Sequence, residues 1–120
     1  MWAAVGLVTV SQQTSPVQVF GLLSAAQRQK IQAYAGGPAN VHAVMLQAWK
    51  SNAGTVYIGD SPQMTKAGVD LSNVLVAPGS NQPASFSMAL TASPNGVGFD
   101  AIYLMVDAAN DGVLVTVEVG

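Results

Sequence analysis

Few side chains in this sequence could carry out acid–base or nucleophilic chemistry. There is one histidine, His42, and there is no cysteine among the 120 residues. A nucleophilic triad needs a general base beside a Ser or Cys, so the one available version would pair His42 with one of the serines. A lone histidine inside an apolar strand-like run is more often structural than catalytic. The sequence therefore predicts a protein that is not an enzyme.

The acidic residues mostly stand next to turn residues. They are Asp60, Asp70, Asp100, Asp107, Asp111 and Glu118. Asp107, Asn110 and Asp111, followed by Gly112, offer several oxygens that could hold a calcium ion. The alternative is a plain hairpin turn whose Asp and Asn side chains bond the local backbone. Because the longer ligand series and closing Glu of a dedicated calcium loop are missing, we expect no metal and no cofactor.

Aromatic residues are the best candidates for contact with a ligand or a partner. They are Trp2, Tyr34, Trp49, Tyr57 and Tyr103. Flat rings stack against sugar faces, so these side chains could line a carbohydrate groove. Rings of this kind more often fill a core or a protein interface. We therefore favour a core or interface role and keep sugar binding as the alternative.

Charged side chains are scarce. They make up 8% of the chain, whereas half of the positions are apolar, and a soluble monomer usually carries ~25% charged residues. Either neighbouring protein covers much of the exterior, or small neutral side chains make up most of it. Both arrangements are typical of a protein that is part of a larger assembly. The net charge of −2 gives no positive field for phosphates, so we expect no nucleic acid or membrane partner.

Short runs with a period of two predict the fold. Residues 84–92 alternate apolar and polar side chains, and residues 113–119 alternate Val with Leu, Thr and Glu. More continuous apolar runs at 41–49, 55–59, 74–77 and 101–107 suggest strands that are covered on both faces. Turn residues separate these runs, for example at 51–54, 78–79 and 110–112. We predict an all-β protein, one antiparallel β-sandwich or jelly roll of about eight strands.

The length favours one domain over residues 1–120. Residues 1–10 are apolar, but no Lys or Arg precedes them as in a signal peptide. We expect an N-terminal arm or an edge strand there. No run approaches the ~20 apolar residues that a membrane helix needs.

Residues 20–35 are ambiguous between a short helix and a strand. The residues that favour a helix are Leu23, Ala26, Gln27, Arg28, Lys30 and Ile31. Only a loose helical stripe joins Leu23, Ala26, Lys30 and Tyr34. The competing interpretation places Gln29, Ile31 and Ala33 on one face of a strand.

Five short segments, in this order, resemble small β-sandwich virion proteins of tailed bacteriophages. They are Leu23-Ser24-Ala25-Ala26-Gln27, Pro38-Ala39-Asn40-Val41, Gly54-Thr55-Val56-Tyr57-Ile58-Gly59, Met64-Thr65-Lys66-Ala67-Gly68-Val69 and Ala77-Pro78-Gly79. Each segment consists of common turn and strand residues, and the order carries the resemblance, which covers about residues 23–119.

The resemblance implies a structural role in a virion, as a capsid decoration or cement protein, with the capsid surface favoured over the tail. It implies a symmetric homo-oligomer, with a trimer favoured, bound to the major capsid protein or another virion protein. It also favours a strand over a helix for residues 28–33. The alternative function is a carbohydrate-binding or receptor-binding module of a fibre.

The expected contact residues follow from exposure of apolar groups. We expect residues 1–10, with Trp2 and Leu7, to contact a partner, together with one sandwich face that bears Trp49, Tyr103 and Met105. Because the chain has few charges, its contacts should be apolar and hydrogen-bonded, and should depend little on salt.

Overall fold

Two antiparallel sheets face each other in this protein. The computed structural model describes residues 2–36, 41–76, 85–89 and 101–119. Sheet A contains, in order, β1 (Trp2–Val10), β8 (Asp111–Val119), β3 (Val41–Ala48) and β6 (Ser85–Ala89). Sheet B contains, in order, β2 (Val17–Gln18), β7 (Tyr103–Val106), β4 (Val56–Gly59) and β5 (Leu71–Leu75). The predicted all-β sandwich is confirmed.

The core lies between the sheets and consists of the side chains that point inward at every second position of the strands. In β8 every second side chain, Val113, Val115 and Val117, is buried. Val56 and Ile58 of β4 are buried from the opposite sheet. Since burying one such side chain contributes about 1.5–3 kcal/mol, the sheets are held together mainly by these aliphatic layers.

Most predicted strands are found near their predicted positions. The runs 41–49, 55–59 and 101–107 contain β3, β4 and β7, and β8 contains the run 113–119. The strand predicted at 74–77 begins and ends earlier in the structure, where β5 spans Leu71–Leu75. Within 84–92 the strand β6 is present, while the orientation of its side chains and the turn at 78–79 lie outside the described residues.

The region 20–35 is helical, and the strand expected at residues 28–33 is wrong. Helix α1 spans Val19–Leu22 and helix α2 spans Ala25–Ala35. At the start of α2, Ser24 and Gln27 form a reciprocal capping box. At its end Gly36 adopts the left-handed conformation with φ 79°. Local capping and helix propensity therefore determine this segment.

The helices close one side of the sandwich. Both α1 and α2 contact β1, and α1 also contacts β2. Leu23 and Ile31 extend from them into the core. None of the helices in the described ranges is long and apolar enough to cross a membrane. The helices thus fill the space between the edge strands of the two sheets.

Candidate interaction surface

The structure separates the residues that the sequence analysis grouped as contacts. Trp2 and Leu7 lie on β1, which is an edge strand of sheet A. Trp49 follows β3 of the same sheet, whereas Tyr103 and Met105 belong to β7 of sheet B. The expected single face bearing Trp49, Tyr103 and Met105 is therefore wrong. Met105 is also buried by its own chain, so it presents no free contact surface.

The outer face of sheet A is nearly uncharged. The cross-strand register places Ala4 opposite Thr116 and Leu7 opposite Leu114, all pointing away from the core. The complete set of outward side chains that the structure describes is Trp2, Ala4, Leu7, Thr9, Ala43, Met45, Gln47, Leu114, Thr116 and Glu118. Only Glu118 among them is ionisable. This face combines low charge with partial exposure, as an interface core does.

The size of this face can be compared with that of a protein contact. Three strands at ~4.8 Å spacing and about nine residues at ~3.4 Å give a footprint of roughly 400 Å². A specific interface buries about 800 Å² on each partner. The accessible surface of a face exceeds its flat footprint, and β6, the fourth strand of the sheet, is not counted in this footprint. The outer face of sheet A is thus large enough to form a substantial part of such a contact.

The free edge of β1 is capped by helix α2. The Nε2 atom of Gln27 donates a hydrogen bond to the Leu7 carbonyl oxygen at 3.0 Å. Gly6 makes room for that amide, because a Cβ at this position would lie 3.1 Å from the Gln27 Nε2 atom. Gly6 has φ 120° within a β-bulge, a conformation that favours glycine. The helix thus occupies an edge that would otherwise be open to another strand.

Sheet B differs from sheet A because residues 60–70 fold over its outer face. Met64 is buried, and a Cβ on Gly59 would lie 2.8 Å from the Met64 sulfur. The Lys66 Nζ atom donates to the Val106 carbonyl oxygen at 2.9 Å. These contacts hold the segment on the sheet, so sheet B offers less open surface than sheet A.

The same segment is tied to β7 by a small polar cluster. Lys66 Nζ lies 3.0 Å from the Asp107 carboxylate, with side-chain exposures of 30% and 43%. The Tyr57 hydroxyl donates to Asp107 at 2.9 Å. Hydrogen bonds from Lys66 and then Tyr57 lower the pKa of Asp107, and the hydrogen bond to Asp107 raises the pKa of Tyr57. Because the ion pair is partly exposed, it contributes at most about 1 kcal/mol.

A second polar cluster is buried at the turn before β4. The Asn52 amide donates to the Gly112 carbonyl at 2.8 Å and accepts from the Gly112 N–H at 2.8 Å. The buried Asp111 carboxylate accepts from the backbone N–H groups of Ala53 and Gly54 at 2.9 and 2.7 Å. These partners are distant in sequence, so the Asp111 side chain is bonded to residues 53 and 54, while the Asp111 N–H bonds to the Ala108 carbonyl within the turn at 3.2 Å.

Protein donors already bind both carboxylates of the 107–112 turn. Asp107 and Asp111 bind different protein donors. In the part of the chain that the structure describes, no three His, Asp or Glu side chains are grouped to hold a metal ion. His42 lies in β3 at a bulge, and its side chain is outside the described residues.

A shallow cleft of about 450 Å³ lies between residues 13–16 and 64–67. Its floor contains Met64 and Met105, and its rim contains Gln13, Thr65 and Lys66. The Lys66 ammonium group is already engaged by Asp107, and Gln13 donates to the Asp107 carbonyl oxygen at 2.7 Å. Among the lining residues that the structure describes there is no aromatic ring to stack against a sugar.

The outward positions of β8 were not singled out as contacts by the sequence analysis. Leu114, Thr116 and Glu118 alternate with buried valines. This alternation is the sequence signal that could have identified them as outward-facing residues.

Comparison of the chain with models of known protein families and with the sequences of characterised proteins finds no significant match.

Proposed function

We propose that this protein is a non-enzymatic structural component of a tailed-phage virion, a symmetric oligomer that decorates or cements the capsid. In this proposal the outer face of sheet A contacts the shell or another virion protein. The single observation that carries the proposal is the near absence of charge on that exposed face. The resemblance to phage virion β-sandwiches adds the biological setting.

The proposed contact is apolar and hydrogen-bonded. Leu7, Met45 and Leu114 supply apolar area, and Gln47 and Thr116 supply neutral hydrogen-bonding groups. A contact of this composition is weakly screened by salt. Many copies on one particle would raise its effective strength, because each bound copy raises the local concentration of the next contact.

The carbohydrate-binding alternative has less support from the described residues. The amine of Lys66 lies 5.6 Å from the centroid of the Tyr57 ring, so this ring already has a cation near its face. The described residues that line the neighbouring cleft include no aromatic ring. Trp2 and Tyr34 are exposed aromatic rings, but neither is among the described residues that line the cleft, and we do not develop this function further.

Electron microscopy of particles with and without the protein would test the proposed function. We expect added protein to appear as regularly spaced density on the particle surface. Thr116→Lys places a charge on the outer face of sheet A, and should reduce occupancy strongly. Gln12→Lys introduces the same charge on an exposed loop and should leave occupancy unchanged. Equal occupancy for both variants would refute the use of this face, and absence of the wild-type protein from particles would refute the virion role.

A further inference from the structure

The dipeptide Asp111–Gly112 at the start of β8 is chemically reactive. It is the one place in the sequence where glycine follows aspartate. The lone pair of the glycine backbone nitrogen can attack the aspartate Cγ atom, because glycine has no side chain to hinder the approach. A new N–Cγ bond forms, the Cγ–O bond of the carboxyl group breaks, and one water molecule leaves a succinimide ring. Water then opens this ring to aspartate or isoaspartate, with no net change in mass.

The tertiary structure requires both residues of this reactive pair. A Cβ atom on Gly112 would collide with the Val8 carbonyl oxygen of β1, so a larger residue does not fit there. The Asp111 carboxylate accepts from the N–H groups of Ala53 and Gly54 at 2.9 and 2.7 Å, which joins β8 to the turn before β4. The fold therefore retains a reactive dipeptide for structural reasons.

The attacking nitrogen of this pair is restrained by Asn52. The Gly112 N–H donates to Asn52 Oδ1 at 2.8 Å, and Asn52 Nδ2 donates to the Gly112 carbonyl oxygen at 2.8 Å. These two bonds hold the Gly112 backbone on both sides of its Cα atom, and Asn52 itself is buried. The nitrogen must lose its proton and turn toward Cγ to react, so the reaction requires that its bond to Asn52 break.

The carboxyl group of Asp111 is restrained as well. Its side chain is 4% exposed, and its two oxygens accept from two different N–H groups. The Asp111 backbone pairs with Val10 of β1, and its N–H donates to the Ala108 carbonyl oxygen at 3.2 Å. The two atoms that must meet in the succinimide are therefore both held by the folded chain.

We propose that Asn52 and the turn at residues 52–54 protect Asp111–Gly112 from spontaneous isomerisation, and that this pair forms isoaspartate when the start of β8 opens. Isoaspartate carries the backbone through the former side chain and adds one atom to it. That change disrupts the pairing of β8 with both of its neighbours, β1 and β3. This inference goes beyond the proposed function and does not depend on it.

The degree of protection follows from the population of the open form. A reaction that occurs only after local opening proceeds at a rate proportional to the fraction of molecules that are open. We expect isoaspartate at residue 111 to form at least about 100-fold more slowly in the native protein than in the denatured chain. This factor corresponds to about 2.7 kcal/mol of local opening free energy.

The rate can be measured on the full chain with a protease that cleaves before aspartate but not before isoaspartate. Wild-type protein would be incubated at neutral pH with and without guanidinium, then digested and analysed by mass spectrometry. Isomerisation appears as an uncleaved peptide 107–120 in place of peptides 107–110 and 111–120. Cleavage before Asp107, which Ala108 follows, serves as the internal control. Deamidation at Asn95–Gly96 is scored separately, because it falls in peptide 70–99.

Substitution of Asn52 tests its protective role. Asn52→Ala removes both hydrogen bonds to Gly112, and isoaspartate formation under native conditions should rise about thirtyfold. Ile31→Ala is the control, because Ile31 is buried from helix α2 and lies outside this hydrogen-bond network. It lowers the free energy of unfolding by creating a cavity, yet it should raise the rate at residue 111 by less than about threefold while the protein stays folded.

Amide hydrogen exchange of wild-type Gly112 gives a test that does not depend on how well a variant folds. Its exchange should be slowed at least about 100-fold relative to an unstructured peptide. Exchange as fast as in such a peptide, or equal isomerisation in native and denatured protein, would overturn the protection. Equal rates for Asn52→Ala and Ile31→Ala, compared at the same measured free energy of unfolding, would overturn the role of Asn52. Absence of isoaspartate at residue 111 in the denatured chain would overturn the reactive pair itself.

Discussion

Replacing Asn52 by Asp should destabilise the fold and make its stability depend on pH. The substitution keeps the shape of the side chain but turns the Nδ2 donor into an oxygen. In the native protein Nδ2 donates to the Gly112 carbonyl at 2.8 Å, and Oδ1 accepts from the Gly112 N–H at 2.8 Å. The bond from the Gly112 N–H can persist. The bond to the Gly112 carbonyl is lost, because a carboxylate oxygen of the new side chain would face that carbonyl oxygen in a buried site next to Asp111.

The expected size follows from these contacts. The Gly112 carbonyl keeps a hydrogen bond from the Trp49 N–H at 3.2 Å, so loss of the Asn52 donor alone costs about 1 kcal/mol. Burying a new carboxylate that faces this carbonyl oxygen adds about 2 kcal/mol. We expect a total near 3 kcal/mol. The entropy of unfolding is about 2.1 cal/mol/K per residue, or roughly 0.25 kcal/mol/K for this chain, so Tm should fall by about 12 °C.

The pH dependence provides a second readout. Burial favours the neutral form of the introduced carboxyl group, so its folded-state pKa should lie above its unfolded value of about 3.9. The destabilisation is then complete above the folded pKa and disappears as the pH falls below the unfolded pKa. The protonated carboxyl can donate to Gly112 again, which restores the lost bond.

Calorimetry of the wild type and of Asn52→Asp at pH 7 and at about pH 3.5, below the unfolded pKa, would measure both effects. Gln12→Glu makes the same amide-to-carboxyl change at an exposed position and should shift Tm by less than about 2 °C, since surface substitutions cost little. If Asn52→Asp behaved like this control at pH 7, the hydrogen bonds between residue 52 and β8 would contribute nothing measurable.

Three further substitutions test other parts of the fold. Gly112→Ala places a Cβ onto the backbone of β1 and should lower Tm by at least about 8 °C, while Gly21→Ala, where a Cβ has ordinary contacts, should change it little. Gln27→Ala loses its bonds to the β1 edge and the capping box, so urea unfolding should show a loss of about 1–2 kcal/mol that Gln29→Ala does not share. Asp107→Asn should cost at most about 1 kcal/mol at neutral pH. Because the folded-state pKa of Asp107 is lowered, that difference should begin to decline as the pH falls below the ordinary value of 3.8 and disappear once the pH is below the folded-state pKa. A difference that persisted in strong acid would exclude an electrostatic origin.

The strand pattern was predictable because alternation reflects a direct physical requirement. Residues 113–119 must bury every second side chain if one face of the sheet meets the core, and Val113, Val115 and Val117 are buried as expected. The pattern could not assign these strands to sheets. Trp49 and Tyr103 both stand in apolar runs of the sequence, yet Trp49 lies just after β3 of sheet A and Tyr103 lies in β7 of sheet B. Pairing between distant strands depends on contacts that local patterns do not encode.

Local signals predicted the helix better than the resemblance did. Ser24 and Gln27 have the spacing of a capping box, and Gly36 stands where a helix end favours glycine. These residues act on their own neighbours, so their effect can be read from sequence. The prediction of a strand at residues 28–33 was wrong because it gave too little weight to Ser24, Gln27 and Gly36.

The amino-acid sequence alone determined that the chain is a weakly charged β-protein with no cysteine chemistry, since composition and short-range periodicity are properties of the chain itself. Only the tertiary structure decided which neutral residues share the outer face of sheet A, that Met105 is buried, and that Asp111 binds residues 53 and 54. Each of these outcomes depends on strand pairing across many residues, where small packing and hydrogen-bond differences choose among arrangements that the local pattern permits equally.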